Sequence, residues 1–158
     1  MSVLVTGATG FIGREIVRRF LTAGRPVIAL AGGRDGVPAA ERVVAAIGAM
    51  PSNASLEVVE GDLAVPGCAL AASDWHRLSR TVETVIHCAG DTTFAPAAMA
   101  PYVAGHVEGP RALLEGLAGG RFAGGGSSRP RTCADGGRER SSSATATSAR
   151  RSTTRTSA

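Results

Sequence analysis

Thr6-Gly7-Ala8-Thr9-Gly10-Phe11-Ile12-Gly13 is the stretch whose reading decides the fold of this chain. An apolar run, Val3-Leu4-Val5, leads into it, and an amphipathic run over residues 11–21 leads out of it. Strand, glycine-rich turn and helix in that order are the setting in which spaced glycines hold a dinucleotide. Each glycine has its own task. Gly7 lets the chain turn sharply off the strand end. Gly10, with no Cβ, lets the backbone approach a pyrophosphate. Gly13 lets the helix pack closely on the strand. The unpaired N–H groups of the helix's first turn, with the positive end of its dipole behind them, then face the phosphates. The plainer alternative is a glycine turn that binds nothing.

Outward from that stretch, the pattern predicts a helix over residues 11–24. Ile12, Ile16, Val17, Phe20 and Leu21 form its inner face, Arg14, Arg18 and Arg19 lie outside, and Gly24 suits its C-terminal cap. Residues 26–31 read as a second strand, completing a strand–helix–strand unit of about thirty residues. An acidic residue about 20 positions past the glycines would bind a ribose 2′-hydroxyl, whereas an arginine accommodates a 2′-phosphate. Here Ala31-Gly32-Gly33-Arg34-Asp35 occupies that place. Arg34 favours NADP, Asp35 keeps NAD open, and a solvated loop charge is the neutral alternative.

A second helix is expected over 38–50 with Val43, Val44, Ile47 and Met50 inward, then a third strand over 56–60. Gly61-Asp62-Leu63 follows at that strand's C-terminal end, where ligands of open α/β sheets sit. Asp62 is placed to reach an adenine amino group, or else caps a nearby backbone N–H. Residues 73–78 suggest a short helix with a Ser or Asp cap, on which Trp75 and Leu78 pack. A fourth strand over 84–87 runs into Cys88-Ala89-Gly90-Asp91, small residues that let a ring or ribose come close to the backbone. Cys88 reads as a buried apolar residue, and His87 as part of the sheet's packing. A last helix over 101–117 shows Tyr102, Val103, Val107, Leu113, Leu114 and Leu117 on one face. Pro110 within it costs about 3 kcal/mol if truly interior, so a kink or restart is expected there.

The 158 residues divide sharply. Leu117 is the last Leu, Ile, Val or Met, and beyond residue 118 the only large apolar side chain is Phe122. Residues 119–158 are rich in Arg, Ser, Thr, Gly and Ala and bury too little surface to offset the entropy of ordering them, so a disordered tail is expected. The tail carries eight Arg against Asp135 and Glu139, a net +6, while residues 1–118 carry nine Arg against eleven acids, a net −2. The charge therefore gives residues 1–118 no claim on nucleic acid. The tail lacks the aromatic residues of a stacking platform, which leaves a nucleic-acid role for it the weakest of the alternatives. Cys68, Cys88 and Cys133 suggest neither a disulfide framework nor a metal site. With no secretory signal and no apolar run approaching the roughly 20 residues of a membrane span, a cytoplasmic protein without membrane partners is expected.

Thr6–Gly13, Gly61-Asp62-Leu63 and Val85-Ile86-His87-Cys88-Ala89-Gly90-Asp91-Thr92-Thr93-Phe94 together resemble the extended short-chain dehydrogenases/reductases. The nearest branch is the NAD-binding domain of thioester reductases and fatty acyl-CoA reductases. The resemblance covers about residues 1–118. It implies an α/β domain: a partial Rossmann fold, with a doubly wound parallel sheet of about four strands, followed by the tail. By resemblance, Gly7, Thr9, Gly10, Phe11, Ile12 and Gly13 would line the pyrophosphate. Arg34 would take the NADP phosphate, Asp62 and Leu63 would hold the adenine, and Cys88, Ala89 and Gly90 would pass beside the nicotinamide ribose. Such enzymes move hydride between NAD(P)H and a carbonyl or thioester-level substrate.

Two departures stand out. The family's Val-Asn-x-x-Gly stretch corresponds to Gly105-His106-Val107-Glu108-Gly109, with His106 at the Asn position. The family's Tyr-x-x-x-Lys pair, in which Tyr delivers the proton and Lys lowers its pKa, is impossible here: Tyr102 is the one tyrosine and there is no lysine. No catalytic residue is therefore assigned, and negligible reductase activity is expected, since losing a general acid–base costs roughly 10²–10⁴-fold. Two origins fit the change after residue 118. One is a natural basic tail; the other is a frame shift in a GC-rich gene, which would make the chain a truncated cofactor-binding part of a reductase. The functional alternatives are such a reductase part, a non-catalytic NADP-binding or sensing module, and a nucleic-acid binder acting through the tail.

Overall fold

β1 (Ser2–Thr6) is an interior strand because both of its faces are apolar. Leu4 packs into one hydrophobic cluster with Ile28, Leu30, Val59 and Val85, while Val3 and Val5 pack into a second with Val17, Val27, Ala29 and Val43. Alternation between two covered faces is what a parallel sheet enclosed by helices requires. β2 (Val27–Ala31) and β4 (Val82–His87) flank β1, and β3 (Leu56–Glu60) lies outside β2. All pairings are parallel, in the order β3-β2-β1-β4. The computed structural model describes residues 1–91 and 99–124. Thr92, Thr93 and Phe94 of the fourth-strand motif, Cys133, and the expected tail from residue 125 onward lie outside the described residues.

α1 (Phe11–Thr22) and α2 (Ala39–Ile47) cover one face of the sheet; α3 (Ala72–Thr81) and α5 (Gly109–Leu117) cover the other. α1 stops as expected. Gly24 takes φ +70°, its N–H donates to the Leu21 carbonyl, and the Arg25 N–H reaches back to Phe20. That pair of bonds satisfies carbonyls left open at the helix end, in a left-handed conformation that glycine adopts without a Cβ penalty.

Several expectations differ. Ile12 faces outward, 65% exposed, because the first turn of α1 overhangs the sheet end; the buried positions are Gly13, Val17 and Leu21. α2 buries Ala39, Val43 and Ile47, a strict four-residue stripe that leaves Val44 off the contact, and Met50 lies past the helix end. α3 begins after Ala71 with no side-chain cap, and Asp74, inside the first turn, pairs instead with Arg77. Val107 is exposed. It lies in a π-helical stretch, Ala104–Glu108, between α4 (Met99–Val103) and α5. Pro110, in the first turn of α5, has no N–H to offer the preceding turn, so the helix widens there and restarts.

Trp75 and Leu78 pack as expected, Leu78 fully buried and Trp75 against the same cluster. An ideal Cβ on Gly116 would sit 2.7 Å from Trp75 Cε3, and closer still to Cζ3, so glycine makes the α3–α5 contact possible. The packed surface extends past Leu117. α6 (Arg121–Gly124) brings Phe122 against the Leu78–Leu113–Leu117 cluster.

Candidate functional site

The four strands end together. Thr6 pairs with Leu30 on one side and His87 on the other, and Ala31 pairs with Glu60. The chain leaves β1 toward β2, and β4 returns on β1's opposite side, so a crevice opens between the diverging connections. A cleft of about 820 Å³ lies there. Gly7 and Thr9 line it after β1, Arg34 after β2, Asp62 and Leu63 after β3, and Ala89 and Gly90 after β4. Gly10, Phe11, Ile12, Gly13 and Cys88, the other residues singled out from the sequence, are not on its wall.

The glycine turn is built by contact as much as by conformation. Gly7 has φ +72°, and a Cβ on it would lie 2.6 Å from the Cys88 carbonyl carbon. The turn is thus pressed onto the end of β4. The Gly10 N–H donates to the Gly7 carbonyl at 3.0 Å, and Gly10 caps α1 without any side chain. Arg14 is the first residue of α1 to donate within the helix, to Gly10 at 3.1 Å. The N–H groups of Phe11, Ile12 and Gly13 precede it and call for an outside acceptor. A glycine cradle at the uncapped start of a twelve-residue helix fits a pyrophosphate. The Phe11 side chain points away, 81% exposed, with the Arg14 guanidinium 5.3 Å from its ring centre.

At the end of β2, Arg34-Asp35-Gly36-Val37 forms a tight hairpin with reciprocal bonds, Arg34 N–H to Val37 at 3.0 Å and Val37 N–H to Arg34 at 2.9 Å. Asp35 at φ +53° and Gly36 at φ +76° give the turn its mirror-image form, which Asp-Gly favours. Arg34 is exposed and 3.5 Å from the Asp35 carboxylate. Arg42, from the first turn of α2, also lines the cleft and donates to the Gly32 carbonyl. Sequence reasoning missed Arg42; its signal is a basic residue in the helical turn that leads back to a strand end.

Asp62 accepts the Ala64 N–H at 2.8 Å, the local capping alternative, while remaining on the cleft wall. Gly109 fixes the same loop from the other side, since a Cβ there would lie 2.7 Å from the Leu63 carbonyl carbon. Cys68 is fully buried beneath it. Burial, and secondarily the Asp62 charge, push its thiol pKa up, so it is an inert packing residue.

Under the cleft, Thr6 is fully buried and ties β1 to β4. Its hydroxyl accepts the Ala89 N–H at 3.3 Å and lies 2.7 Å from His87 Nδ1. A hydroxyl has one proton and two lone pairs, so Thr6 holds both the Ala89 N–H and the His87 ring with either tautomer of the imidazole. Burial, then the nearby His106, lowers the His87 pKa, which favours a neutral ring. His87 is half-buried in the sheet's hydrogen bonding, and Cys88 is only half-buried where full burial was expected.

His106 and Tyr102 form a wall that sequence reasoning did not assign. Their rings stack at 4.1 Å, and His106 Nε2 accepts the Asp91 N–H at 2.9 Å. Gly90 makes room, as a Cβ there would be 3.1 Å from the His106 ring. Among the described residues, no group of His, Cys, Asp or Glu is arranged to hold a metal, and no helix is long and apolar enough to cross a membrane.

The family described as Male sterility protein, an NAD-binding domain, matches residues 5–120. The large subunit of L-2-aminoadipate reductase from Penicillium chrysogenum is 37% identical over 94 residues, which is 54% of this chain and 7% of that protein. The reductase domain of a nonribosomal peptide synthetase from Mycobacterium tuberculosis superposes with a TM-score of 0.55 at 30% identity, over 74% of this chain and 30% of that one. The yeast methylglyoxal/isovaleraldehyde reductase Gre2, solved with NADPH, gives 0.59 at 25% identity, over 77% and 34%. The chain thus spans less than a tenth of the curated relatives it matches and about a third of these solved domains. By its glycine turn, its parallel sheet and that match, the chain belongs to the NAD-binding Male sterility protein family of extended short-chain dehydrogenases/reductases.

Proposed function

We propose that the chain is the cofactor-binding part of an NADP-dependent reductase of acyl-thioester or carbonyl substrates, and that by itself it binds cofactor without turning it over. The observation that carries the proposal is the glycine cradle before the uncapped start of α1, whose Gly7 and Thr9 line a cleft at the C-terminal ends of the strands. The backbone N–H groups of residues 11–13 would hold the pyrophosphate, with Gly7, Thr9 and Gly10 shaping its bed. Arg34, with Arg42 beside it, would take the 2′-phosphate, and NAD would bind more weakly. Asp62 and Leu63 would meet the adenine, and Cys88, Ala89 and Gly90 the nicotinamide ribose. The bound cofactor supplies hydride. The chain supplies position, but no Tyr-x-x-x-Lys pair to deliver a proton, since it has no lysine. Proton delivery to a developing alkoxide is worth about 10²–10⁴-fold, so binding without turnover follows. This same balance supports a non-catalytic NADP-sensing role as the second reading. A cytoplasmic location is part of the same proposal.

Calorimetric titration with NADPH and NADH, followed by an assay of NADPH oxidation with a simple acyl thioester, tests the proposal. Saturable binding, tighter for NADPH, with no oxidation above the protein-free rate is expected. Turnover would overturn the silent-domain reading, and absence of binding by either nucleotide would overturn the cofactor reading.

A further inference from the structure

Glu60, the last residue of β3, sits where its strand lies in register with Ala31 at the end of β2. An acidic residue that reads a ribose 2′-hydroxyl ordinarily stands at the end of the second strand itself. This chain has Gly32-Gly33 there, and no side chain fills the space. The neighbouring strand does. An ideal Cβ on Gly33 would lie 2.9 Å from Glu60 Oε1, so the Glu60 carboxylate occupies the volume that a β2-end side chain would take. Glu60 and the Arg34–Val37 hairpin enclose a side concavity of about 370 Å³, which shares Gly33 and Arg34 with the main cleft.

The charges where this concavity meets the main cleft oppose one another. Arg34 and Arg42 favour a phosphate, but each already has an acceptor, Asp35 for the first and the Gly32 carbonyl for the second. Asp35 and Glu60 are both carboxylates on the concavity's wall, yet Asp35 is turned to Arg34. A carboxylate only accepts, so Glu60 gains a bond from a ribose 2′-hydroxyl and repels a 2′-phosphate.

We propose that Glu60, reaching over Gly33 from β3, is the residue that reads the 2′ position of the cofactor's adenosine ribose and narrows the NADP preference given by Arg34 and Arg42. The proposal rests on the dinucleotide reading above. Removing one charge beside a phosphate dianion in a solvated site changes affinity by roughly five- to tenfold.

Dissociation constants for NADPH and NADH are measured for the wild-type chain, Glu60→Gln and Glu41→Gln. Glu41 lies in the first turn of α2, outside the concavity, and its variant carries the same change in net charge. Glu60→Gln should raise the preference for NADPH over NADH about five- to tenfold, and Glu41→Gln should leave it within about twofold. An unchanged ratio in Glu60→Gln, or an equal change in Glu41→Gln, would overturn the selector role while leaving cofactor binding intact. Failure of the wild-type chain to bind either nucleotide would overturn both.

Discussion

Gly13 stands directly behind Gly7: an ideal Cβ on Gly13 would lie 2.7 Å from the Gly7 carbonyl carbon, and closer still to its oxygen. The third glycine of the turn therefore packs on the first, not on the strand itself. Gly13→Ala pushes α1 off the turn, because the clash is with backbone and no side chain can yield. Overpacking of this kind costs about 1–3 kcal/mol. A lower denaturation midpoint together with at least tenfold weaker NADPH binding is expected. Equal stability and affinity in the two proteins would show that α1 is not clamped at this point.

The Asp91–His106 bond clasps the β4 loop to the π-helical stretch through an imidazole acceptor. His106→Ala removes the acceptor and the ring stacked on Tyr102. His106→Asn offers a carbonyl oxygen in place of Nε2. The alanine variant should lose about 1 kcal/mol of stability, near the usual net worth of one hydrogen bond, and the asparagine variant should recover part of it. Chemical denaturation of the three proteins checks this; identical loss in both variants would place the effect in the ring stacking alone.

His87 couples the fold to pH. Its folded pKa lies below the ordinary value of about 6.5, through burial first and His106 second. Between that lowered value and about 6.5 the unfolded chain binds more protons, so stability rises with pH across this window. The contribution is fully present above about pH 6.5 and is lost as pH falls through the folded pKa. The melting temperature should drop between pH 7 and pH 5 in the wild-type chain, and His87→Gln should flatten the His87 part of that drop. A variant with an undiminished pH slope would remove His87 from the account.

Leu117 is fully buried with Leu78, Leu113 and Leu4, near the end of the described chain. Leu117→Ala should cost about 2–5 kcal/mol, as for other buried leucines. Phe122, only partly buried on the same cluster, should cost less when changed to alanine. Thermal melts of both variants give the order. A larger loss at Phe122 would mean that residues beyond 120 anchor the domain more than its last long helix does.

The sequence by itself determined what depends on short range: four strands, the helices between them, the glycine turn, the stop at Gly24 and the break at Pro110. Periodicity and glycine spacing act over a few residues, and the chain carries that information wherever it folds. Gly7, Thr9, Arg34, Asp62, Leu63, Ala89 and Gly90 reach the cleft because each follows a strand, and parallel strands deliver their ends to one side. What only the tertiary structure decided lies between elements far apart in sequence. Ile12, Val44 and Val107 look inward on a helical wheel, but the first turn of α1 overhangs the sheet end, α2 makes its contact through Ala39, Val43 and Ile47, and Val107 lies in the π-helical stretch. Arg42, Tyr102 and His106 become wall residues because α2, α4 and the π-helical stretch place them at the strand ends. Glu60 stands over Gly33 because β3 runs in register beside β2. Such neighbours are set by strand pairing and helix packing, and no local pattern records which side chain will occupy the space another residue leaves empty.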